Sequence, residues 1–378
     1  MTVCISSNFD SGSIDVVDAS DPGNVRLRIR DDHGSNEFRQ WFHFRISGAA
    51  GQPLTLRFEN AGQCSYPDGW RGYRAVASYN RTDWFRLDDC DYDGDVLTVS
   101  LTPKHDAIWL AYFEPYSQER HLSVLGRAAT ADGTRVARLG ASLQGRDIDV
   151  IELGGGPRQV WVVARQHPGE SMAEWFAEGM LDRLLDEADP VAREIRRRAT
   201  VHLVPNINPD GAWLGNLRSN AAGVNLNREW HAPTVSRSPE ILAVQGGMAQ
   251  SGVDLFLDIH GDETLPYVFI DGSHMVPGYG GTNTALQAQF LNDLAAASPD
   301  FQQRHGYTDD RFQDELLTLG SKWVAHRFSC VSLTLEMPFK DNDNAPDARV
   351  GWNGARSKRL GSAMLLPVLA HLRRLDPM

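Results

Sequence analysis

A change of pattern near residue 115 constrains the fold more than any other feature of the chain. Up to that point the sequence runs in short segments, NVRLRIR, QWFHFRISG, PLTLRFEN, RAVASYN, WFRLD, VLTVSLTP and AIWLAYFEP, separated by Gly, Pro, Asp and Asn turns. Several alternate polar and apolar residues, as around Val25, Leu27 and Ile29, and no helical pattern intervenes. This spacing predicts an antiparallel β-sandwich over residues 1–115. From PYSQERHLSVLGRAA, itself read as a helix, the pattern changes. The strand candidates DIDVIEL, QVWVVAR, TVHLVPNINP, VDLFLDIHGD, YVFID and CVSLTLEMPF now alternate with helices. The helices are 170–185, PVAREIRRRA, SPEILAVQGGMAQ, NTALQAQFLNDLAAAS and the C-terminal ARSKRLGSAMLLPVLAHLRRL. Continuously apolar strands between helices predict an α/β domain over residues 116–378, its sheet covered on both faces.

Bulk properties exclude several classes of function. A net charge of -12 argues against a general nucleic-acid binder, whose surface must neutralise phosphates. No apolar run approaches the roughly 18 residues of a membrane span, so no membrane partner is expected. The N-terminal MTVCISSNFDSGS lacks the charged-then-apolar plan of a signal peptide. Cys4, Cys64, Cys90 and Cys330 are scattered and form no CxxC pair, which reads as reduced thiols in a cytoplasmic protein.

Chemistry gathers in the second half. The apolar run Val160–Val163 leads to His167-Pro-Gly-Glu170, where a strand hands over to a helix, the place where open α/β sheets put their ligands. A second strand, DLFLDIHGD, carries His260 near its end, and a third, VSLTLEMPF, carries Glu336. Two imidazoles and a carboxylate from separate strand ends make three ligands of a tetrahedral zinc with a fourth position open to water. Bound zinc lowers the pKa of its water to about 7, and Glu336 is a candidate to take and return that water's proton. Between these strands, NINPDGAWLGNLRSNAAGVNLNREW over 206–230 reads as a long surface loop with a functional role. It holds Arg218 and Arg228, residues able to clamp a carboxylate or stabilise an oxyanion.

In these motifs the chain resembles the zinc metallocarboxypeptidases of the carboxypeptidase A-like family. The order HPGE, NPDG, GNLRSNAAGVNLNREW, a strand ending in His, then TLEMPF is that family's order. The preceding β domain, with LNREW and EMPF, points to the cytosolic carboxypeptidase branch. The resemblance implies a mixed, twisted sheet covered by helices and a peptide or protein C-terminal tail as substrate. It implies that His167, Glu170 and His260 bind one Zn2+ per chain, with Glu336 as general base and acid. By the same match, Arg218 polarises the scissile carbonyl, while Asn227 and Arg228 grip the terminal carboxylate. Two departures stand out. Asn225 occupies the place of an Asp that supports a zinc histidine, and an amide there accepts the imidazole N–H without adding charge. The family's lid tyrosine has no motif to mark it among Tyr267, Tyr279 and Tyr307. The branch implies a preference for C-terminal Glu or Asp, with Lys322, Arg327 and Lys340 as candidate pocket cations. Two other classes compete: an N-acyl amino acid amidohydrolase on a similar scaffold, and a catalytically weak binder of acidic tails.

Overall fold

The computed structural model describes residues 3–308 and 311–376. Among these, the N-terminal half holds ten strands. They are β1 (Cys4–Ser6), β2 (Asp15–Asp18), β3 (Val25–Arg28), β4 (His43–Ser47), β5 (Leu54–Phe58), β6 (Val76–Ser78), β7 (Trp84–Arg86), β8 (Cys90–Tyr92), β9 (Leu97–Leu101) and β10 (Ala107–Ala111). They form two five-stranded sheets, ordered β1-β4-β10-β6-β7 and β2-β3-β5-β9-β8. Pairing is antiparallel except between β3 and β5. The chain leaves one sheet after β3, adds β4 to the other and returns, so β3 and β5 run the same way. Period-two alternation buries Val25, Leu27, Leu54, Leu56 and Phe58 from one sheet against Phe44, Ile46, Ile108 and Leu110 from the other. Strands β1, β2 and β8 were not among the segments anticipated. They are short, and β2 is exposed at every position, so no buried stripe marks them.

The second half opens with α1 (Gln118–Ala129), β11 (Thr134–Ala141), β12 (Asp147–Gly154), β13 (Arg158–Ala164), α2 (Met172–Leu184) and α3 (Pro190–Arg198). It continues through β14 (Ala199–Val204), α4 (Pro209–Leu214), α5 (Pro239–Ser251), β15 (Leu255–Asp262), β16 (Phe269–Asp271) and α6 (Gly280–Ala297). It closes with α7 (Gly320–Phe328), β17 (Val331–Pro338), α8 (Gly354–Ala363) and α9 (Leu365–Leu375). The seven strands form one mixed sheet, ordered β11-β12-β14-β13-β15-β17-β16. Its central strands β14, β13, β15 and β17 are parallel neighbours, and every residue of β15 and β17 is buried. Local chemistry sets the helix starts. Asp189 accepts from the amides of Val191 and Ala192 with Pro190 in the first turn of α3, and three arginines occupy its last turn.

Three expectations need correction. The C-terminal helix is two helices meeting at Met364, because Pro367 fits only in a first turn, where its missing N–H is not needed. The 206–230 stretch is not a surface loop: it contains α4 and is largely buried, its backbone and side-chain amides satisfying one another. Strand β11 and helix α7 lie where no element was anticipated.

The two halves share one apolar core. Tyr112, just after β10, stacks on Phe339, just after β17, with ring centroids 4.7 Å apart. Arg86 from β7 is buried and donates to the carbonyls of Phe339 (2.7 Å) and Trp352 (2.8 Å).

Candidate active site

Strands β13, β15 and β17 lie side by side and end at the same edge of the sheet. After Ala164 the strand is turned by Arg165, whose backbone is left-handed (φ 61°), an uncommon conformation for a residue with a side chain. Its buried guanidinium holds the kink, donating to the carbonyls of Pro168 and Tyr116 at 3.0 Å each and to Glu174 at 2.7 Å. The His167-Pro-Gly-Glu170 turn follows. Glycine is required at 169, because its N–H donates to Leu217 O at 2.8 Å and an added Cβ would stand 2.9 Å from that oxygen.

This turn brings His167 and Glu170 to His260. All three are buried, and their donor atoms lie within 4.8 Å of one another. His167 Nδ1 is 2.6 Å from Glu170 Oε1, His260 Nδ1 is 2.9 Å from Glu170 Oε2, and the two Nδ1 atoms are 3.1 Å apart. The opposite ring nitrogens meet acceptors. His167 Nε2 is 3.1 Å from Asn225 Oδ1, which also accepts Asn227 N–H at 3.0 Å, so the amide's oxygen end is identified. His260 Nε2 is 3.0 Å from Asp258 Oδ1. With Nε2–H donated outward, both Nδ1 lone pairs face Glu170, a donor set suited to zinc.

Charge follows the same logic. Burial, reinforced by Arg218, pushes the His167 pKa down to about 4, which leaves the ring neutral. Burial also opposes charge on His260, but Asp258 and Glu170 outweigh it and hold that ring well above its ordinary value. A metal ion held by His260 would have to displace that proton. Glu170 is depressed despite burial, because both imidazoles face it.

Glu336 is the register partner of His260 on the neighbouring strand. Burial raises its pKa well above the carboxylate range, and Glu170, Asp262 and Glu263 add repulsion against the opposing pull of His260. Its Oε2 is buried without a hydrogen-bond partner among the described residues. Its Oε1 lies 3.2 Å from the hydroxyl of Tyr307, which lies 2.7 Å from Asp262 Oδ2. A hydroxyl has one hydrogen; donated to Asp262, it leaves a lone pair able to accept from a protonated Glu336.

The remaining anticipated residues line the same cavity of about 120 Å³. Arg218 is 3.8 Å from Glu170 Oε1 and lies over the ring of Tyr66, 5.5 Å from its centroid. Burial works against its charge, yet Tyr66, Glu263 and Glu170 keep its pKa above the ordinary arginine value. Asn227 Oδ1 accepts Gly320 N–H at 2.8 Å, which leaves its NH2 group for other partners. Arg228 donates to Glu315 Oε2 at 2.6 Å.

Among the tyrosines left unassigned, Tyr307 lines the cavity, whereas Tyr267 stacks on His305 and Tyr279 donates to Gln287. Of the three candidate cations, Lys322 is buried beside the cavity, 2.9 Å from the lining residue Asp271. Arg327 is exposed and Lys340 bonds Arg71 O, both away from the lining. The sequence reading passed over Asp258, although it shares a strand face with His260 two residues on, a visible period-two signal. It had no signal for Tyr66, which comes from the N-terminal half.

A mixed α/β sheet with two imidazoles, one carboxylate and a separate buried glutamate at its parallel strand ends defines a metal-dependent hydrolase. The comparisons refine this. The family described as Zinc carboxypeptidase matches residues 125–350, and that described as Cytosolic carboxypeptidase N-terminal domain matches residues 5–113. The chain belongs to the zinc carboxypeptidase family and is a metallocarboxypeptidase. A metallo-carboxypeptidase structure from Burkholderia cenocepacia is 51% identical, with TM-score 0.97 over 99% of this chain and 100% of that one. A metallo-carboxypeptidase from Pseudomonas aeruginosa, solved in complex with (2-guanidinoethylmercapto)succinic acid, is 46% identical. Its TM-score is 0.93 over 98% of this chain and 100% of that one. Cytosolic carboxypeptidase 6 of Caenorhabditis elegans is 25% identical over 88% of this chain and 78% of its own length. Among the described residues no helix is long and apolar enough to cross a membrane.

Proposed function

We propose that His167, Glu170 and His260 hold one zinc ion per chain and that the cavity beside them takes the C-terminal tail of a peptide or protein. The observation that carries this reading is the orphaned Glu336 Oε2 in the cavity that His167, Glu170, Arg218 and Arg228 also line. When bound there, zinc supplies Lewis acidity and lowers the pKa of water to about 7. Glu336, as the carboxylate, takes a proton from the attacking water and returns it to the leaving amine. Arg218 donates to the oxygen on which charge develops. Arg228 and the NH2 group of Asn227 bind the terminal carboxylate, which restricts cleavage to the last peptide bond. Residues 1–115 form the accessory β-sandwich and 116–378 the catalytic domain. The names of the cytosolic relatives and four free cysteines support a cytoplasmic location.

For the residue removed, we favour C-terminal Glu or Asp, through Lys322 behind the Asp271 wall. A specific observation favours the opposite preference as well. Asp271 itself lines the cavity, and the Pseudomonas aeruginosa relative was solved with a guanidino-bearing succinate. Mass spectrometry of peptides differing only in their last residue decides between them, with Glu336→Ala protein as control. Loss of one terminal Glu or Asp by the wild type alone supports the first reading, and loss of Lys or Arg the second. No trimming by zinc-loaded protein defeats both and returns the weight to an amidohydrolase or a tail binder.

A further inference from the structure

We infer that the N-terminal half is part of the catalytic apparatus, with Asp32 as the residue that positions Arg218. Asp32 lies between β3 and β4 and is 5% exposed. Its Oδ1 accepts Leu217 N–H at 2.6 Å, and its Oδ2 accepts Arg218 N–H, Ser219 N–H and Ser219 Oγ–H at 2.8 Å each. Four donors equal in number the roughly four acceptor sites of one carboxylate, three of them gathered on Oδ2. No ion pair to Asp32 is present among the described residues; burial raises its pKa, and the successive backbone amides pull against that, as in an anion nest.

Neighbouring contacts make the hold rigid. His33 N–H donates to Asn216 Oδ1 at 2.8 Å. Gly223 packs so closely on the Gly34 backbone that a Cβ would lie 2.1 Å from its carbonyl oxygen. The side chain of Arg218 is seated from the same half, over Tyr66, whose backbone is clamped at both ends by Gln40 (2.8 and 3.0 Å). The loop is also tied on its other side, where Leu217 O accepts Gly169 N–H inside the His167–Glu170 turn.

The inference rests on the oxyanion role proposed for Arg218. Removing such a donor costs about 10²–10³ in kcat, and misplacing a catalytic group by about 1 Å costs up to roughly 10². Asp32→Asn keeps the volume but sets an NH2 group against the loop's N–H donors. It should lower kcat about 10-fold or more while KM, governed by Arg228, moves less than about threefold.

Two measurements test this on the full chain. In hydrogen exchange, the amides of 217–219 should exchange at least about tenfold faster in Asp32→Asn than in the wild type, with β13 and β15 unchanged. Equal protection overturns the inference. In a kinetic cycle on a peptide the wild type trims, Asp32→Asn/Arg218→Ala should be no slower than Arg218→Ala alone. Multiplied losses would mean that Asp32 acts elsewhere and would also overturn it. Should Asp32→Asn fail to fold, Ser219→Ala removes one of the four donors and should give a smaller loss in the same direction. A wild type that trims no peptide sinks the proposed function, while the exchange result still decides whether Asp32 holds the loop.

Discussion

Asn225 shows how much a single atom decides in this site. It accepts from His167 as a carboxylate would, but contributes no charge to the imidazole's basicity. Asn225→Asp should therefore tighten zinc binding by about tenfold, measured by competition with a chromophoric chelator; unchanged affinity would contradict the account. Glu336→Gln keeps the shape of the proton carrier and should lower kcat by about 10²–10⁴. Metal content should stay at the wild-type level, checked by atomic emission on the purified protein. Asn225 was marked only by the family resemblance, whereas Glu336, like His167, Glu170 and His260, was legible in the sequence because strand ends and a Pro-Gly turn marked them. Tyr307 was not, since its meeting with Asp262 and Glu336 arises from a chain crossing that no local pattern encodes.

At the scale of elements, the layer of α1 and α2 on the sheet turns on His121. This buried α1 side chain lies 2.6 Å from Glu174 on α2 and 3.4 Å from Asp149 on β12. Burial opposes its charge, but the hydrogen bonds to Asp149 and Glu174 outweigh it and raise its pKa to about 9. The unfolded value is about 6.5, so the stabilisation is complete below that pH and is lost as pH rises through about 9. The shift corresponds to something on the order of 3 kcal/mol. Melting temperature should fall between pH 7 and 10, and His121→Gln should flatten that fall; parallel curves would exclude His121 as the cause. Helices were readable where caps and apolar stripes coincide, as at α3. Strand β11 was not, because this sheet edge carries Arg135 and Arg138 and leaves none of its residues fully buried.

For the whole molecule, the two sequence patterns foretold two domains, but not that they would bury into each other. The contacts that join them pair residues as far apart as Arg86 and Phe339, 253 positions, and such pairs leave no periodic trace. With Tyr112, Phe339 and Arg86 all buried at the junction, the chain should unfold in one calorimetric transition. Residues 116–378 expressed alone should show no cooperative transition. Two well-separated transitions in the intact chain would refute the shared core.

The Asp32 contact also orders events in time. Its partners are synthesised 185 residues later, an interval of about 10–40 s at ribosomal rates of roughly 5–20 residues per second. Until then the carboxylate is without its four donors, while the strands around it have all been synthesised. The nascent loop bearing Arg218 thus emerges after its anchoring residue is already made. A circular permutant whose synthesis began at residue 116 would reverse that sequence of events, with the loop made first and nothing yet to hold it.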